Sequence, residues 1–447
     1  MRNFIAMTVT LAAGMAFGAG ELDHALLIGT TDRSPFSYEI GDEVTFSIRF
    51  EYAKPFPEGE YVLDWLREGD DGEKLSGKAP LVYGRPVVLK TKIGTNGFVR
   101  IKSVVRDGKG NRYKRQFVDD GLTPEGKQAM NPWEKKGAQI MFVGAAAAHP
   151  EMMRSVPEPD DFDAFWAKRK AALASVPMKV DLKEHPSDSP ATKVYSVSIA
   201  CAGPRPVTGT LTVPTAPGRY PAEISFHGYS KDFVQTPPKH GLADRLCLFI
   251  NAHGYELGRE PAYYKAFYES IKSNGHHYGA DPVQNADPDR AYFSGMTFRI
   301  MRALEFLRSR PEWDGRSLTA IGGSMGGLQA IWAGALDHGV TKVSALVPWC
   351  CDVGGRETLH RFFAGSIKET PALRYYDPVN HAKRIPKASW VDIPRAGLGD
   401  ESSPPNGVAV LWNNLNCRKS IRWVQGSTHG EEPPKEFREE YVWKEGL

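Results

Sequence analysis

The sequence predicts an α/β fold, with a mainly parallel sheet covered by helices on both faces, preceded by a small β-sandwich. Beyond about residue 150, short apolar segments alternate with helix-like segments, which is typical of a parallel sheet. From about 20 to 120, apolar residues recur at every second position and no long helix is indicated, which is typical of antiparallel strands. A length of 447 residues also favours two domains over one.

The first residues have the layout of a secretory signal peptide. Arg2 precedes an apolar stretch from Phe4 to Phe17, and small residues follow at 18–20. A buried first helix or a membrane anchor is the alternative, but about fourteen apolar residues are fewer than a spanning helix needs. We therefore expect 1–19 to be a signal peptide and the protein to be secreted or periplasmic, with no membrane partner.

Residues 20–122 predict an immunoglobulin-like β-sandwich. One face of the strand candidate EVTFSIRF carries Val44, Phe46, Ile48 and Phe50. Further strand candidates are GEYVLDWLRE, RPVVLKTKIG and GFVRIKSVVRDGKGNRYKRQF, the last with a glycine-rich turn. About a hundred residues of short strands suit such a sandwich. No catalytic constellation is found there, and 123–149, which includes an alanine-rich patch, is predicted to be a linker to a second domain.

The second domain, residues 150–447, is predicted from its alternating elements. It begins with a helix, DDFDAFWAKRKAALASV, preceded by acidic residues that can cap it. Strand candidates follow at VYSVSIA, TGTLTVP, PAEISFHG and RLCLFINAHG. A long helix over about 292–308 leads to the strand SLTAIGG, and helical segments then separate the strands TKVSALVP, ASWVDIPRAGLGD and KSIRWVQGSTHG. This order predicts the mainly parallel sheet.

Charge and cysteine content exclude several classes of partner. A formal net charge of +3 and the absence of a lysine–arginine block argue against a nucleic-acid partner. The five cysteines follow no metal spacing and include no CxxC pair, so we predict no metal and no cofactor. Most of the cysteines are predicted to be small buried apolar residues, although an odd number of them leaves at least one free thiol in an oxidising compartment.

The segment TAIGGSMGGLQA carries the first chemical signal. It contains G-x-S-x-G as Gly322 to Gly326, with Ser324 at the centre, between a strand candidate and a helix. This context is the one a nucleophile elbow requires, where a sharp strand-to-helix turn lifts the serine hydroxyl out of the sheet. The sequence therefore predicts Ser324 as a nucleophile.

A serine hydroxyl needs a histidine base oriented by an acid, and in this kind of fold the chain order is serine, acid, histidine. Of the histidines that follow Ser324, only His429 comes just after a strand candidate, in a glycine-flanked loop. The others lie in helical or intervening segments: His338, His360 and His381. We predict His429 as the base.

Four aspartates are candidates for the acid: Asp352, Asp377, Asp392 and Asp400. Asp400 ends a strand candidate and begins the loop DESSPPNG, so it is the predicted acid. Asp392 lies inside the strand, from where its carboxylate could not reach the end of the sheet. Asp377 resembles a helix cap, and Glu401 is expected to point away from the site if Asp400 faces it.

Hydrolysis through a tetrahedral intermediate also needs donors for an oxyanion. We predict the backbone N–H groups of Met325, which follows the nucleophile, and of Tyr229, in the loop FHGYS after an earlier strand. His227 in that loop is equally open to a structural role and to a direct one. Met325 and Trp349 are candidates for closing an acyl pocket, or are plain core residues.

With these motifs in place, residues from about 150 to 447 resemble the acetyl xylan esterase / cephalosporin-C deacetylase family of α/β hydrolases. The matching segments are PEPDDFDAFW, FHGYS, GGSMGG, YYDPVNHAKRI, GLGDESSPP and STHG. The resemblance implies an α/β-hydrolase fold, an acetylated oligosaccharide substrate, and roles for Ser324, His429, Asp400, Tyr229 and Met325 as above.

The chain also departs from this family. Met325 stands where glutamine is usual, and NAHGYELG at 251–258 replaces an Arg-Gly-Gln-Gly element, so packing near the site must differ. Compact members lack the N-terminal β region, which leaves it open whether this chain forms a homo-oligomer. A serine exopeptidase and a catalytically silent carbohydrate-binding protein are the alternatives. The first usually carries a larger β-propeller, and the intact Ser, Asp and His set argues against the second.

Overall fold

The fold is taken from a computed structural model of the chain. It describes residues 25–52, 55–114, 139–230, 234–362 and 367–446. The predicted signal peptide, 1–19, lies outside these ranges, as do residues 123–138 of the predicted linker. Within the described ranges, no helix has the length and apolar character that crossing a membrane requires.

The N-terminal region, called the β domain below, consists of two antiparallel sheets. A three-stranded sheet has the order β1-β2-β5, and a four-stranded sheet has the order β4-β3-β6-β7. Their bounds are β1 Leu26–Thr31, β2 Glu43–Glu51, β3 Tyr61–Gly69, β4 Lys74–Pro80, β5 Val87–Lys92, β6 Gly97–Asp107 and β7 Met141–Ala148. A shared apolar core lies between the sheets. It contains the predicted face of β2, with Val44, Phe46, Ile48 and Phe50 all buried, so that sequence prediction is confirmed.

Strand β7 differs from the sequence prediction, which placed 141–148 in a linker. β7 pairs antiparallel with β6 over its whole length. Ala146 and Ala148 pack in the core of the β domain, whereas Ala145 and Ala147 pack in the core of the following domain. A strand that is buried on both faces shows no apolar–polar alternation, which is why the alanine run carried no strand signal.

The second domain is built on a ten-stranded mixed sheet within the described ranges. Its order is β17-β16-β15-β14-β13-β11-β12-β10-β9-β8. The strands from β12 through β11, β13, β14 and β15 to β16 pair in parallel. The bounds are β8 Val180–His185, β9 Thr192–Ile199, β10 Val207–Pro214, β11 Tyr220–Phe226, β12 Leu246–Ile250, β13 Trp313–Gly323, β14 Lys342–Leu346, β15 Trp390–Gly397, β16 Arg418–Val424 and β17 Glu440–Glu445.

Helices pack against this sheet. Their bounds are α1 Phe162–Ala174, α2 Pro261–Ser270, α3 Tyr292–Ser309, α4 Met325–Leu336, α5 Gly355–Leu359, α6 Pro378–Ala382 and α7 Pro405–Asn414. The predicted helices at 162 and at 292–308 are α1 and α3. Every residue of α4 is buried, because this helix packs against β11, β13 and β14 in the middle of the sheet. The mainly parallel sheet predicted from the sequence is therefore confirmed for its centre, with antiparallel strands at both edges.

The carboxyl ends of the parallel strands place the predicted functional residues together. Tyr229 follows β11, Ser324 follows β13, Asp400 follows β15 and His429 follows β16. Since parallel strands all end at the same edge of a sheet, loops from these strands meet there.

Candidate active site

Ser324 occupies a strained turn between β13 and α4. Its backbone has φ 58° and ψ −118°, a left-handed conformation that few residues other than glycine adopt. The turn is tight enough to require glycines. A Cβ on Gly322 would lie 2.4 Å from the backbone of Gly326, and one on Gly326 would lie 2.3 Å from Phe226 O. The geometry is that of the nucleophile elbow predicted from the sequence.

Ser324, His429 and Asp400 form one hydrogen-bonded chain. Ser324 Oγ lies 2.8 Å from His429 Nε2. The other ring nitrogen, Nδ1, lies 2.9 Å from Asp400 Oδ2 and 3.1 Å from Oδ1. In this arrangement Nδ1–H donates to the carboxylate and Nε2 is free to accept the serine proton. The structure thus brings the predicted nucleophile, base and acid together in the predicted order.

The Asp400 carboxylate is fully buried, so its orientation is set by the groups around it. Besides His429, Oδ1 accepts from the backbone amides of Ser402 and Ser403, both at 2.8 Å. Ser403 Oγ in turn donates to Val347 O at 2.9 Å, just after β14. These hydrogen bonds hold the acid loop against the neighbouring strand end and point the carboxylate at the histidine ring.

The other aspartates have different partners. Asp392 Oδ1 accepts from Ser420 Oγ at 2.5 Å on the next strand. Asp377 caps α6 by accepting from Val379 N at 3.0 Å, as its sequence context predicted. Asp352 pairs with Arg361.

The remaining histidines after the serine also lie apart from the chain of hydrogen bonds. His338 and His360 are exposed. His381 is a buried residue of α6, where Nε2 lies 3.0 Å from Tyr375 O, and burial lowers its pKa to about 3. A histidine that stays neutral in this way is suited to packing and not to accepting a proton from Ser324.

The two predicted oxyanion donors flank Ser324. Met325 is the first residue of α4, a position whose amide has no acceptor inside its own helix. The loop after β11 passes the serine closely, since a Cβ on Gly228 would lie 3.8 Å from Ser324 Cβ. Gln329 Nε2 bridges both segments by donating to His227 O at 3.2 Å and Met325 O at 3.1 Å. Gln329 thereby ties the loop that leads to Tyr229 to the first turn of α4, next to Ser324.

The ring of His227 is engaged by backbone on both sides. Nδ1 lies 2.7 Å from Gly228 O, and Nε2 accepts from Ala252 N at 3.0 Å. Burial lowers the pKa of His227 to about 4. Of the two roles left open by the sequence, this geometry fits the structural one, in which the ring links the loop after β11 to the loop after β12.

Comparison with known proteins gives the family. Residues 150–447 match the family model described as acetyl xylan esterase (AXE1). The chain belongs to this family. It is a carboxylic ester hydrolase of the α/β-hydrolase type, which sets aside the exopeptidase that the sequence left open.

One curated relative and two solved structures are similar to this chain. Acetyl esterase Axe7A of Xylanibacter ruminicola is 26% identical over 361 residues, covering 77% of this chain and 73% of that protein. The crystal structure of acetyl xylan esterase 1 from a Thermoanaerobacterium species superposes with a TM-score of 0.51 at 22% identity, over 64% of this chain and 93% of that one. Acetyl xylan esterase from a Paenibacillus strain gives a TM-score of 0.49 at 21% identity, over 63% and 92% of the two chains.

The segment NAHGYELG at 251–258, where different packing is expected from the sequence, supports the loop after β11. His253 is buried, with Nε2 2.9 Å from Ser230 O and Nδ1 2.8 Å from the Tyr292 hydroxyl. Burial lowers the pKa of His253 to about 3, so the neutral ring donates through Nε2 and accepts from tyrosine. Tyr278 packs edge-on to this ring at 4.6 Å and stacks on Tyr229 at 4.2 Å between centroids. The sequence predicted different packing in this segment, but it did not predict the contacts of His253 with Ser230, Tyr278 and Tyr292.

Arg395 is a further residue that sequence reasoning missed. Its Nη2 donates to His429 O at 2.8 Å, and Glu432 lies 3.9 Å from Nη1. Burial lowers the pKa of this guanidinium, although the negative charges of Glu432 and Asp400 act to raise it. Arg395 lies on β15, and Asp400 follows this strand five positions later, so the same strand leads to the predicted acid and carries an anchor for the loop of His429.

Metal-ligating residues do not cluster in threes anywhere in the described part of the chain. All five cysteines are free thiols, and three are buried: Cys350, Cys351 and Cys417. Burial raises the pKa of both Cys350 and Cys351.

Proposed function

We propose that the chain is a serine esterase that removes acetyl groups from acetylated xylan or xylo-oligosaccharides, with Ser324, His429 and Asp400 as its catalytic triad. The observation that carries the proposal is the hydrogen-bonded chain from Ser324 Oγ through His429 to the buried Asp400 carboxylate. Family membership and the acetyl esterase relative support acetyl as the acyl group that is removed from the sugar. A signal peptide at 1–19 fits a protein that meets such polymers after secretion or in the periplasm.

In the first half of the reaction, His429 Nε2 takes the Ser324 hydroxyl proton while Oγ attacks the acetyl carbonyl carbon. The carbonyl oxygen becomes an oxyanion, which accepts from the amides of Met325 and Tyr229. The intermediate then collapses, the carbon–oxygen bond to the sugar breaks, and His429 gives its proton to the departing sugar oxygen. Water repeats the sequence on the acetyl-enzyme and releases acetate, restoring the Ser324 hydroxyl.

The surroundings of Ser324 fit a small acyl group. Trp349 N donates to Ser324 O at 3.2 Å, which places this residue directly beside the nucleophile. Its ring meets Tyr229 edge-on at 5.5 Å between centroids. Met325 is fully buried, so its side chain is part of the core. In this proposal the rings of Trp349 and Tyr229 bound the acyl site, and longer acyl chains react more slowly because each methylene that cannot fit costs about 1–3 kcal/mol.

The β domain is proposed to be an immunoglobulin-like sandwich. In the described part of this domain, seven antiparallel strands divided into sheets of three and four around one core support this proposal.

The test combines Ser324→Ala with a substrate panel. We expect the wild-type chain to release acetate from acetylated xylo-oligosaccharides, to cleave 4-nitrophenyl acetate faster than the butyrate, and to leave the octanoate and peptide amides intact. Ser324→Ala should lose about 10⁶ in turnover with an unchanged unfolding transition. More than a tenth of wild-type turnover in this variant would disprove the assignment of the nucleophile. Rates that rise with acyl length would disprove the deacetylase function.

A further inference from the structure

The β domain lies directly against the two loops that carry Asp400 and His429. A Cβ on Gly399 would lie 2.0 Å from Val143 O, so the backbone just before Asp400 touches the backbone of β7. At the end of β16, Gln425 accepts from Ala145 N at 3.1 Å and donates to Ala145 O at 2.9 Å. Gln425 stands four positions before His429. Strand β7 therefore contacts the entry to both loops.

Ion pairs from strand β6 meet the acid loop at Glu401, the residue next to Asp400. Lys102 Nζ lies 2.7 Å from Glu401 Oε2, and Arg100 Nη2 lies 3.6 Å from Oε1. Arg100 is itself nearly fully buried and also pairs with Glu68 on β3. Since residues 100 and 102 project from the same face of their strand, one face of the four-stranded sheet holds the Glu401 side chain with two cations.

A second contact joins the same sheet to the end of the acid loop. Asn406 Nδ2 donates to Asp70 Oδ1 at 2.8 Å, while Asp70 Oδ2 accepts from Phe98 N at 2.8 Å. Both Asp70 and Asn406 are buried. The loop is thus tied to the β domain on both sides of the two residues, Ser402 and Ser403, whose amides orient the Asp400 carboxylate.

We propose that the β domain positions the catalytic acid, through Lys102 and Arg100 acting on Glu401. The inference rests on the role proposed for Asp400. Glu401 stands in the chain between Asp400 and Ser402, and the amides of Ser402 and Ser403 donate to the Asp400 carboxylate. A shift of the Glu401 side chain therefore moves both the carboxylate and the two amides. A displacement of about 1 Å in a catalytic group can lower turnover by about a hundred-fold. Lys102 and Arg100 are positioning residues, because they act through the loop and touch neither substrate nor the reacting atoms.

The test uses full-length variants. Lys102→Met removes one charge but keeps the aliphatic stem, Glu401→Gln removes both ion pairs, and Lys102→Arg keeps the charge. Arg106→Met is the matched control. Arg106 lies on the same strand and pairs with Asp64 at 2.5 Å, inside the β domain, with both partners about as exposed as Lys102 and Glu401. Turnover and KM are measured with 4-nitrophenyl acetate, which has no sugar to bind, and stability is measured by urea unfolding.

We expect Glu401→Gln to lower kcat about ten-fold or more with KM unchanged, and Lys102→Met to act in the same direction. Stability should change little, since Lys102 and Glu401 are partly exposed and the buried Arg100 keeps its pair with Glu68. Lys102→Arg and Arg106→Met should keep wild-type kcat.

Combination with Asp400→Asn distinguishes positioning from other effects. In that background Lys102→Met should cause no further loss, because no carboxylate remains to be positioned. An equal further loss would overturn the inference. A kcat within two-fold of wild type in both Lys102→Met and Glu401→Gln, while Asp400→Asn alone is impaired, would overturn it as well. Wild-type turnover in Asp400→Asn would instead overturn the role proposed for Asp400, and this inference with it.

Discussion

Replacing Asp400 by asparagine changes one oxygen into an amide nitrogen and leaves the side-chain shape nearly unchanged. The surrounding amides determine which way the new group faces. Oδ1 of Asp400 accepts from Ser402 N and Ser403 N at 2.8 Å, so the carbonyl oxygen of the asparagine must occupy this position. Its NH₂ group then faces His429 Nδ1, at the place where Oδ2 lies 2.9 Å away in the native chain.

This orientation forces the wrong form of the imidazole. An NH₂ group only donates, so Nδ1 must become the acceptor and the single ring proton moves to Nε2. Nε2, at 2.8 Å from Ser324 Oγ, can then no longer take the hydroxyl proton. In a serine protease the corresponding change lowers turnover by about 10⁴, which is about 5.4 kcal/mol of lost transition-state stabilisation. We expect the same size of effect here.

The assay is kcat for 4-nitrophenyl acetate at neutral pH, with urea unfolding as the check on folding. Asp392→Asn is the control, because its carbonyl oxygen can still accept from Ser420 Oγ as the carboxylate does at 2.5 Å. It should stay within about three-fold of wild type. A folded Asp400→Asn variant with more than a tenth of wild-type turnover would refute the tautomer argument. A larger loss of turnover in Asp392→Asn than in Asp400→Asn would indicate that Asp392, on β15, is the catalytic acid.

Two further outcomes are expected from buried positions. Burial raises the pKa of Asp70 to about 6, above its unfolded value of about 3.9, so its contribution to stability is present below about pH 4 and is lost as pH rises through about 6. Wild type should therefore lose about 3 kcal/mol relative to Asp70→Asn between pH 4 and 7 in urea unfolding, and a pH-independent difference would contradict this. Gly326→Ala places a Cβ 2.3 Å from Phe226 O, so it should lower stability by about 1–3 kcal/mol and reduce kcat by displacing the loop after β11. An unchanged melting temperature and an unchanged kcat would contradict the close approach.

The parts of the site that the sequence predicted share a physical origin. Ser324, Asp400 and His429 each come directly after an apolar strand, and the carboxyl ends of parallel strands meet at one edge. Strand periodicity together with chain order was therefore enough to choose His429 over three other histidines, and Asp400 over Asp392. Gly322 and Gly326 could also be predicted from the sequence, because a sharp turn in which two backbone segments touch leaves no room for a side chain.

The parts that were not predicted depend on contacts between distant segments. Glu401 meets Lys102, which is 299 positions away in the chain, and no local pattern in one sequence marks such a pair. The stack of Tyr229 and Tyr278 joins two loops without periodicity. The prediction of a linker at 123–149 differs from the structure at β7, because its four alanines offer no alternation to read.

The alanine strand has a consequence for how the molecule comes apart. Ala145 and Ala147 belong to one core and Ala146 and Ala148 to the other. If one domain unfolded and took β7 with it, the core of the other domain would lose two alanine side chains. The cavity left there would cost free energy because packing is lost. Heat should therefore melt both regions in one transition, visible as a single calorimetric peak, and not as two modules that denature in sequence. A protease that meets the native protein would accordingly find no stable half to release by local opening between residues 141 and 148.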